Sequence, residues 1–299
     1  MIILSESSPQ LPDSASLRDL IRSTEAARLA GWLVYHIPGD LPPGVSADDA
    51  LWHVPVQPEI VVGLWTGYIP LPEHYEEIYQ AAFARNIHLV NAPDQFRRAE
   101  EFDQFYPFIE DLTARSECVA DVSHCAAAAQ RIGYPVFLKG TVQSLKSDGI
   151  GSCVAHTPEE LKVIAGKIMS GHRRSLGKVI VRELLDLRCS RVGPGEFPLG
   201  REYRVFVYDR EIVGLGYYWE GEDDLADLQP DERKLVEHLA LEAASRLGVP
   251  YIAVDIGQKQ NGDWIVIEVG DAQFSGFSQI PIQELWARLT ARIEAKSNS

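Results

Sequence analysis

The apolar pattern of the first third of the chain alternates between short continuous runs and stretches with helical spacing. Continuous apolar runs predict strands, and apolar positions three and four apart predict helices. The predicted elements, in chain order, are a helix over 17–30 with Ser14 or Ser16 as its N-cap, strands over 32–37 and 60–64, a helix over 73–85, a strand over 87–90 and a mostly helical, aromatic-rich stretch over 94–112. Strands that alternate with helices favour a parallel sheet with covering helices. We therefore expect residues 1–115 to form an α/β domain.

The same kind of pattern restarts at residue 121 and continues to the C-terminal region. The predicted elements are a helix over 121–133, a strand over 136–138, a helix over 158–169, strands over 178–182, 202–208 and 211–218, a helix over 235–247, strands over 251–256 and 264–269, and a final helix over 281–295. We divide this part of the chain into two α+β subdomains, over 116–182 and 183–299.

The strands over 251–256 and 264–269 are joined by a turn at 261–263 and carry one carboxylate each near one end, Asp255 and Glu268. Antiparallel pairing brings these ends side by side if the register points both side chains the same way. Two neighbouring carboxylates repel unless a cation lies between them or one takes up a proton. Mg²⁺ prefers oxygen ligands and shares them with substrate phosphates. The hairpin alone fits either such a metal site or a turn cap at Asp255 with a solvated strand end at Glu268.

Lys139 ends the strand in YPVFLKG and is followed by the polar loop TVQSLKSDGIGSC, which contains Lys146. The backbone N–H groups of a glycine and serine loop suit phosphate oxygens, and the two lysines would supply positive charge. The loop lacks both the GxxxxGK[ST] pattern of a P-loop and the third glycine of a dinucleotide fingerprint. It therefore fits either a phosphate-binding loop or a flexible turn with solvated lysines.

A charged pair lies in the strand over 202–208, in the segment GREYRVFVYDREIVG. Glu202 and Arg204 are two residues apart, so their side chains point to the same face, while Tyr203 and Val205 point to the other. Such a pair is either solvated or lines a site.

Composition narrows the class of protein. Hydrophobic residues make up 45% and charged residues 24% of the 299 residues, which is ordinary for a globular protein. The formal net charge of -15 disfavours general nucleic-acid binding, which depends on Lys and Arg meeting phosphates. No apolar stretch approaches the roughly 20 residues of a membrane helix and no signal-peptide pattern is present, so we expect no membrane partner and a cytoplasmic location. The four cysteines form no CxxC pair, which disfavours structural zinc.

The ordered succession of YPVFLKG, the Ser/Gly loop, VIVRELLDL, GREYRVFVYDREIVG and YIAVDIGQKQNGDWIVIEVGDAQFSG resembles the ATP-grasp fold over roughly residues 121–277. It is most similar to the clade named for two characteristic arginines and a lysine, in which an E-[WY]-R-V-F-V strand precedes a D…G-x-W…E-x-N-D segment. The resemblance implies an ATP-grasp fold, with two α+β subdomains that sandwich ATP and an N-terminal α/β domain before them.

The resemblance also implies roles for matching residues. For the nucleotide, it implies that Lys139 and Lys146 contact the phosphates, that Glu183 and the backbone of Leu184 and Leu185 bind the adenine edge, and that Glu202 lies near the ribose or the metal side. For the reaction, it implies that Arg204 faces the transferred phosphate or the acceptor, that Asp255 and Glu268 bind Mg²⁺, and that Ser275 with Gly276 holds the carboxylate or acyl phosphate. Arg204, Lys146 and Ser275 are thus the predicted catalytic residues. The clade usually carries Asn two residues after its glutamate, whereas this chain has Gly270. Asp271 follows directly and is the predicted third metal ligand.

The function that the resemblance implies is an ATP-dependent carboxylate–amine ligase that acts through an acyl phosphate, releases ADP and phosphate, and forms an amide or peptide bond. Its cofactors would be ATP and Mg²⁺, and its partners a small-molecule or peptide carboxylate and an amine acceptor. Such enzymes are often dimers, so a homodimer is also an expectation. Two other interpretations stay open: a non-catalytic or regulatory nucleotide-binding protein, and a phosphoryl-transfer enzyme on the same fold.

Overall fold

The N-terminal part of the chain forms a parallel sheet in the computed structural model, which describes residues 1–7 and 14–297. Its elements are β1 (Ile2–Ser5), α1 (Ala15–Leu29), β2 (Leu33–His36), α2 (Ala47–Ala50), β3 (Val61–Thr66), α3 (Pro72–Phe83), β4 (Ile87–Leu89), α4 (Pro93–Glu100) and α5 (Phe102–Ile109). All strand pairs are parallel, in the order β2-β1-β3-β4. The N-cap of α1 is Ser14, whose hydroxyl accepts the N–H of Leu17. This is the predicted α/β arrangement.

The middle of the chain forms a small antiparallel sheet covered by helices. Its elements are β5 (Ser116–Val119), α6 (Val122–Ile132), β6 (Val136–Gly140), β7 (Val154–Ala155), α7 (Pro158–Ser170), α8 (His172–Ser175) and β8 (Val179–Glu183). The strand order is β5-β8-β6-β7. The glycine and serine loop runs between β6 and β7 and contains two 3-10 turns, Lys146–Asp148 and Ile150–Ser152. The loop therefore begins and ends at strands of the same sheet, β6 and β7.

The C-terminal part contains the largest antiparallel strand pairs. Its elements are β9 (Cys189–Val192), β10 (Pro198–Gly200), β11 (Glu202–Tyr208), β12 (Glu211–Tyr217), α9 (Pro230–Leu247), β13 (Tyr251–Gln258), β14 (Trp264–Asp271) and α10 (Ile282–Ser297). β9 and β10 form a separate hairpin around a 3-10 turn at Pro194–Glu196. The main sheet has the order β12-β11-β13-β14, so β14 lies at its edge.

Apolar side chains divide the main sheet into a buried face and a mixed face. Val205 and Val254 belong to a core that also contains residues of α5 and α9. On the mixed face, Phe206 and Ala253 pack in a second core with residues of α1, α10 and the N-terminal sheet. The strand positions that precede Phe206 on this face are charged, so the sheet stays open there. This open stretch holds the candidate site.

The structure adds detail to one expectation for the N-terminal part and differs from another. The stretch over 94–112, predicted to be mostly helical, contains two helices, α4 and α5, separated by Glu101 with its extended dihedral angles (φ -92°, ψ 117°). The strand β1 was not predicted, although it lies inside the parallel sheet between β2 and β3. Four apolar residues at the start of the chain are too few to show a period. Across residues 1–7 and 14–297, no helix has the length and apolar character needed to cross a membrane.

Candidate active site

Three neighbouring strands bring charged side chains into one row. The register pairs Arg204 on β11 with Asp255 on β13, and Asp255 with Glu268 on β14. Residues directly opposite each other project from the same face of a sheet, so the three side chains point together. Glu202, two residues before Arg204, points to this face as well. The register therefore places Asp255 and Glu268 side by side.

A cavity of about 500 Å³ lies over this row. Ile69 and Glu100 of the N-terminal part contribute to its wall, as do Lys146 and Arg174 of the middle part. Arg204, Asp255 and Glu268 line it from the main sheet. The cavity is thus enclosed by all three parts of the chain, and the glycine and serine loop forms one side of it.

Arg204 and Asp255 form a two-pronged ion pair. Nε of Arg204 donates to Oδ1 of Asp255 and Nη2 donates to Oδ2, each at 2.7 Å, and Nη1 donates to the carbonyl of Gly276 at 2.9 Å. The ring of Tyr218 lies 4.7 Å from the guanidinium carbon. Burial lowers the pKa of Arg204 and the charge of Asp255 raises it, with a net upward shift. The guanidinium is therefore charged, and its orientation is fixed by Asp255, the carbonyl of Gly276 and the ring of Tyr218.

Lys139 and Glu268 form a second ion pair that joins the small sheet to the main sheet. Lys139 lies near the end of β6 and is only 2% exposed, and its Nζ donates to Oε1 of Glu268. Burial raises the pKa of Glu268, whereas Lys139 and then Lys146 lower it, and the net shift is downward. Glu268 is therefore ionised at neutral pH while the lysine lies behind it.

Lys146 and Glu202 are the other charged groups of the row. Nζ of Lys146 lies 3.4 Å from the hydroxyl of Tyr218 and 5.0 Å from the ring centre of Trp219. Burial lowers the pKa of Lys146, while Tyr218 and the nearby carboxylates, Glu202 first among them, raise it, with a net upward shift. Burial raises the pKa of Glu202 to about 7, although Lys146 opposes this. The loop lysine thus reaches the row and carries a proton there.

The predicted adenine-binding segment lies at the end of β8, between the small sheet and the C-terminal part. Glu183 is exposed and its N–H donates to the carbonyl of Arg115 at 2.9 Å. Leu184 and Leu185 follow in an irregular connection and are half-buried. None of the three lines the 500 Å³ cavity, so their role in binding adenine stays a prediction.

The structure places Ser275 at the cavity but directs Asp271 away from it. Ser275 lines the cavity, and its hydroxyl donates to the carbonyl of Asp271 at 3.0 Å. The carboxylate of Asp271 is fully buried and accepts the N–H of Gln273 at 2.9 Å. Because side chains alternate along a strand, Asp271, three residues after Glu268, points to the opposite face. The prediction of Asp271 as a third metal ligand therefore does not fit this geometry.

Three titratable residues that line the cavity are not among the predicted site residues. Glu100 ends α4 and is 6% exposed; its Oε1 accepts the N–H of Asp271 at 2.7 Å. Burial and then the charge of Asp271 raise the pKa of Glu100 to about 8. Arg174 belongs to the short helix α8, and Tyr218 follows β12. Each of these residues reaches the cavity only because segments that are distant in sequence pack together. The sequence around each one therefore has no local pattern that distinguishes it from a surface residue.

The protein residues fit one part of a magnesium site. Asp255 and Glu268 face the cavity from adjacent strands, and Mg²⁺ commonly takes one or two carboxylates and completes its six ligands with phosphates and water. In the part of the chain that the structure describes, no group of three or more His, Cys, Asp or Glu side chains is arranged to hold a metal by itself. The donor set thus suits a metal that arrives with a phosphate ligand.

Comparison with solved structures identifies the class of this fold. A structure of a RimK-domain ATP-grasp protein from Sphaerobacter thermophilus superposes with a TM-score of 0.63 at 16% identity, covering 97% of both chains. D-alanine–D-alanine ligase from Bacillus anthracis, in complex with ATP, gives a TM-score of 0.64 at 12% identity over 99% of this chain and 98% of that one. D-cycloserine synthetase gives 0.61 at 13% identity over 98% of both chains. The fold is therefore that of the ATP-grasp proteins, as the sequence motifs implied.

A family model narrows this assignment. The model for the ATP-grasp domain of family 3 in the clade named for two arginines and a lysine matches residues 129–289, more than half of the chain. The chain belongs to this family, which confirms the predicted clade. No curated protein matches the sequence significantly.

Proposed function

We propose that this protein is an ATP-dependent ligase that joins a carboxylate to an amine through an acyl phosphate. The observation that carries the proposal is the row of Arg204, Asp255 and Glu268 on one sheet face, with Lys139 and Lys146 reaching it from the small sheet and its loop. Membership of the ATP-grasp family and the ligases among its structural relatives support the same class of reaction.

The proposed reaction has two transfers. A carboxylate oxygen of the first substrate attacks the γ-phosphorus of ATP, so the bond to the β-phosphate oxygen breaks and ADP leaves. The nitrogen of the second substrate then attacks the acyl carbon, phosphate leaves, and the nitrogen loses a proton as the amide forms. Both steps bring anions together or spread negative charge over phosphoryl oxygens. Fixed cations lower that cost, which is the role we assign to Arg204 and Lys146.

Each part of the cavity has an assigned task in this proposal. Lys139 and Lys146 bind nucleotide phosphates, and the loop between β6 and β7 covers them and excludes water that would hydrolyse the acyl phosphate. Asp255 and Glu268 would hold Mg²⁺, which screens the phosphate charge when it is bound. Glu202 is assigned to the nucleotide side, and the backbone N–H groups of Ser275 and Gly276 to the carboxylate substrate, because the Ser275 hydroxyl already donates to the carbonyl of Asp271. We assign ATP to the interface of residues 116–182 and 183–299.

The substrates are proposed at the level of chemical class. The relatives include ligases and synthetases named for D-alanine and D-cycloserine, and we infer a small-molecule or peptide carboxylate and an amine acceptor for this chain. The N-terminal domain over 1–115 contributes Ile69 and Glu100 to the cavity. We therefore assign this domain a part in choosing the acceptor.

Calorimetric titration of a non-hydrolysable ATP analogue, with and without Mg²⁺, tests the nucleotide and metal assignments. We expect micromolar binding that requires Mg²⁺ in the wild type and is lost in Glu268→Gln. Glu237→Gln, a charge on α9 that is paired with Arg233, is the matched control and should bind like the wild type. Magnesium-independent binding, or unchanged binding in Glu268→Gln, would refute the metal assignment.

Product analysis tests the reaction itself. Incubation with ATP and libraries of carboxylates and amines should yield ADP together with an amide product. ADP with a stable phosphorylated product would indicate phosphoryl transfer, and nucleotide binding without turnover across the libraries would indicate a regulatory protein.

A further inference from the structure

Glu100 differs in its ion pairing from the other carboxylates that line the cavity. Asp255 is paired with Arg204 and Glu268 with Lys139. Within the described residues, no Lys, Arg or His lies at ion-pair distance from Glu100, although its side chain is more than nine-tenths buried. A buried carboxylate without a counter-ion opposes folding, and burial raises the pKa of Glu100 to about 8, so the free protein holds it as the neutral acid at neutral pH. A cationic ligand that binds beside it in the cavity would favour its ionised form.

The backbone beside Glu100 leaves room for that ligand. Glu100 lies at the outer side of edge strand β14, where its Oε1 accepts the N–H of Asp271 at 2.7 Å. Gly270, which projects to the same face as Glu268, has no side chain. A Cβ atom at this position would lie 3.5 Å from Oε1 of Glu100 and 3.5 Å from Oγ of Ser275. Two oxygen atoms thus converge on a small space above Gly270 that belongs to the cavity.

The surroundings favour an ammonium group over a metal ion in this space. Mg²⁺ needs six oxygen ligands in near-octahedral geometry. Apart from the chain neighbours of Gly270, Oε1 of Glu100 and Oγ of Ser275 are the atoms of the described residues within 4 Å of a Cβ placed there. Phe274 and Ile69 line the same cavity, and the ring of Phe274 lies 5.7 Å from that of Phe96, one turn before Glu100 on α4. An ammonium group donates up to three hydrogen bonds and can carry a hydrocarbon substituent. The oxygen atoms of Glu100 and Ser275 can accept those hydrogen bonds, and the apolar side chains that line the same cavity can contact the hydrocarbon substituent.

We propose that Glu100 and Ser275 form the subsite that receives the ammonium group of the amine substrate, with the hydrocarbon part of that substrate against Phe274 and Ile69. The hydroxyl of Ser275 donates to the carbonyl of Asp271, so its oxygen remains available to accept a hydrogen bond. This subsite rests on the proposed ligase function. It adds that the acceptor is a primary amine bound as its ammonium ion, which passes one proton to the Glu100 carboxylate before its nitrogen attacks the acyl carbon and loses a second proton as the amide forms.

Binding of propylammonium chloride, measured by saturation-transfer NMR, tests the subsite without a known substrate. We expect saturable binding to the wild type, at least about tenfold weaker binding to Glu100→Gln, and weaker binding to Ser275→Ala. Propan-1-ol, which has a similar shape and no charge, should not bind measurably to any of them. Glu101→Gln is the matched control. Glu101 is the next residue and equally buried, but it is paired with Arg97 and does not line the cavity.

The control also removes the effect of net charge, because a protein with a formal charge of -15 attracts any cation. Glu100→Gln and Glu101→Gln have the same net charge, so a difference between them reports the position of the carboxylate. Equal propylammonium binding in the two variants, or no saturable binding to the wild type, overturns the proposal. Circular dichroism confirms that the variants are folded.

Two further titrations separate this inference from its alternatives. Mn²⁺ binding followed by electron paramagnetic resonance should be the same in the wild type and Glu100→Gln. A loss of Mn²⁺ affinity without a loss of propylammonium affinity would make Glu100 a metal ligand and overturn the ammonium assignment. Titration of the ATP analogue with Mg²⁺ on the same samples reports the proposed function alone. Its failure in the wild type would refute the ligase proposal whatever the propylammonium result.

Discussion

At the scale of single residues, the cavity is controlled by charged groups whose positions are fixed by their partners. Arg204 is held by two hydrogen bonds to Asp255 and one to the carbonyl of Gly276. Lys139 is held under Glu268 with almost no exposed surface. Glu100 accepts a backbone N–H and has no ion-pair partner among the residues that the structure describes. The first two groups are oriented before a ligand binds, which is the condition for electrostatic stabilisation of a transition state.

Arg204→Lys tests how much the orientation of the guanidinium contributes. Lysine keeps the charge but cannot donate two parallel hydrogen bonds to Asp255. We expect ADP release to fall by about 10² with little change in the affinity for the ATP analogue. A steady-state ADP assay and calorimetry measure the two quantities. Wild-type turnover in this variant would show that positive charge alone is sufficient.

Glu100→Gln should also change how stability depends on pH. Burial raises the pKa of Glu100 from 4.5 to about 8, so the folded protein binds more protons than the unfolded chain between these values. The free energy of unfolding contributed by this group is therefore fully present below pH 4.5 and is lost as the pH rises toward 8. In urea unfolding, the free energy of unfolding of Glu100→Gln should rise relative to that of the wild type by on the order of 2 to 4 kcal/mol from about pH 5 to pH 8.5. If the free energy of unfolding depends on pH in the same way in both proteins, the pKa of Glu100 is not raised by burial.

At the scale of elements, the loop between β6 and β7 rests against the β9–β10 hairpin through two glycines. Gly149 has a φ of +93° and Gly195 a φ of +61°, and a Cβ atom at Gly195 would lie 2.6 Å from the Cα of Gly149. Only residues without a side chain allow this approach of the two backbones. The contact fixes the position of the loop that carries Lys146.

Gly195→Ala should release that loop. The added methyl group overlaps the backbone of Gly149, so the loop must move away and Lys146 with it. We expect faster tryptic cleavage within residues 141–153 and weaker binding of the ATP analogue, by roughly three- to tenfold. Gly151→Ala is the matched control, because a Cβ atom there meets no atom within 4 Å. Equal cleavage rates in the two variants would show that the glycine contact does not hold the loop.

At the scale of the whole molecule, the N-terminal sheet is joined to the main sheet by buried polar contacts as well as by the shared core. Asn91 is fully buried; its Nδ2 donates to the carbonyl of Tyr251 at 2.7 Å and its Oδ1 accepts the N–H of Tyr251 at 3.0 Å. The rings of Trp32 and Trp286 meet edge to face with centres 5.5 Å apart. We therefore expect these two parts to unfold together.

Asn91→Ala tests this coupling. The substitution leaves the N–H and carbonyl of Tyr251 buried without those partners, so the free energy of unfolding should fall by about 2 to 4 kcal/mol. Fluorescence and circular dichroism in urea should still report one coincident transition. Gln260→Ala, at an exposed position, should change stability by less than about 0.5 kcal/mol. Two separate transitions in the wild type would contradict a jointly folded unit.

The sequence was sufficient for the family and for the strands of the main sheet, because each of those strands has a periodic pattern or a motif. It was insufficient where the decisive contact joins distant segments. Glu100 meets Gly270 only after α4 packs against the edge of β14, and no local pattern encodes that approach. Asp271 follows Gly270 directly in sequence, but side chains alternate along the strand, so its carboxylate points away from the face that carries Glu268. The short strand β1 has too few residues to show a period.

Before any ligand enters, Asp255 and Glu268 already hold Arg204 and Lys139 as partners. In the proposed function a magnesium–nucleotide complex carries both signs of charge, so its entry would exchange these partners: Asp255 and Glu268 would hold the metal, and Arg204 and Lys139 would hold the phosphates. The number of close opposite-charge contacts stays about constant in such an exchange. A bare anion or a bare divalent ion would instead separate a pair and leave one member alone in a partly buried place, which is unfavourable. The proposed site would therefore favour ligands that arrive with their own counter-ion.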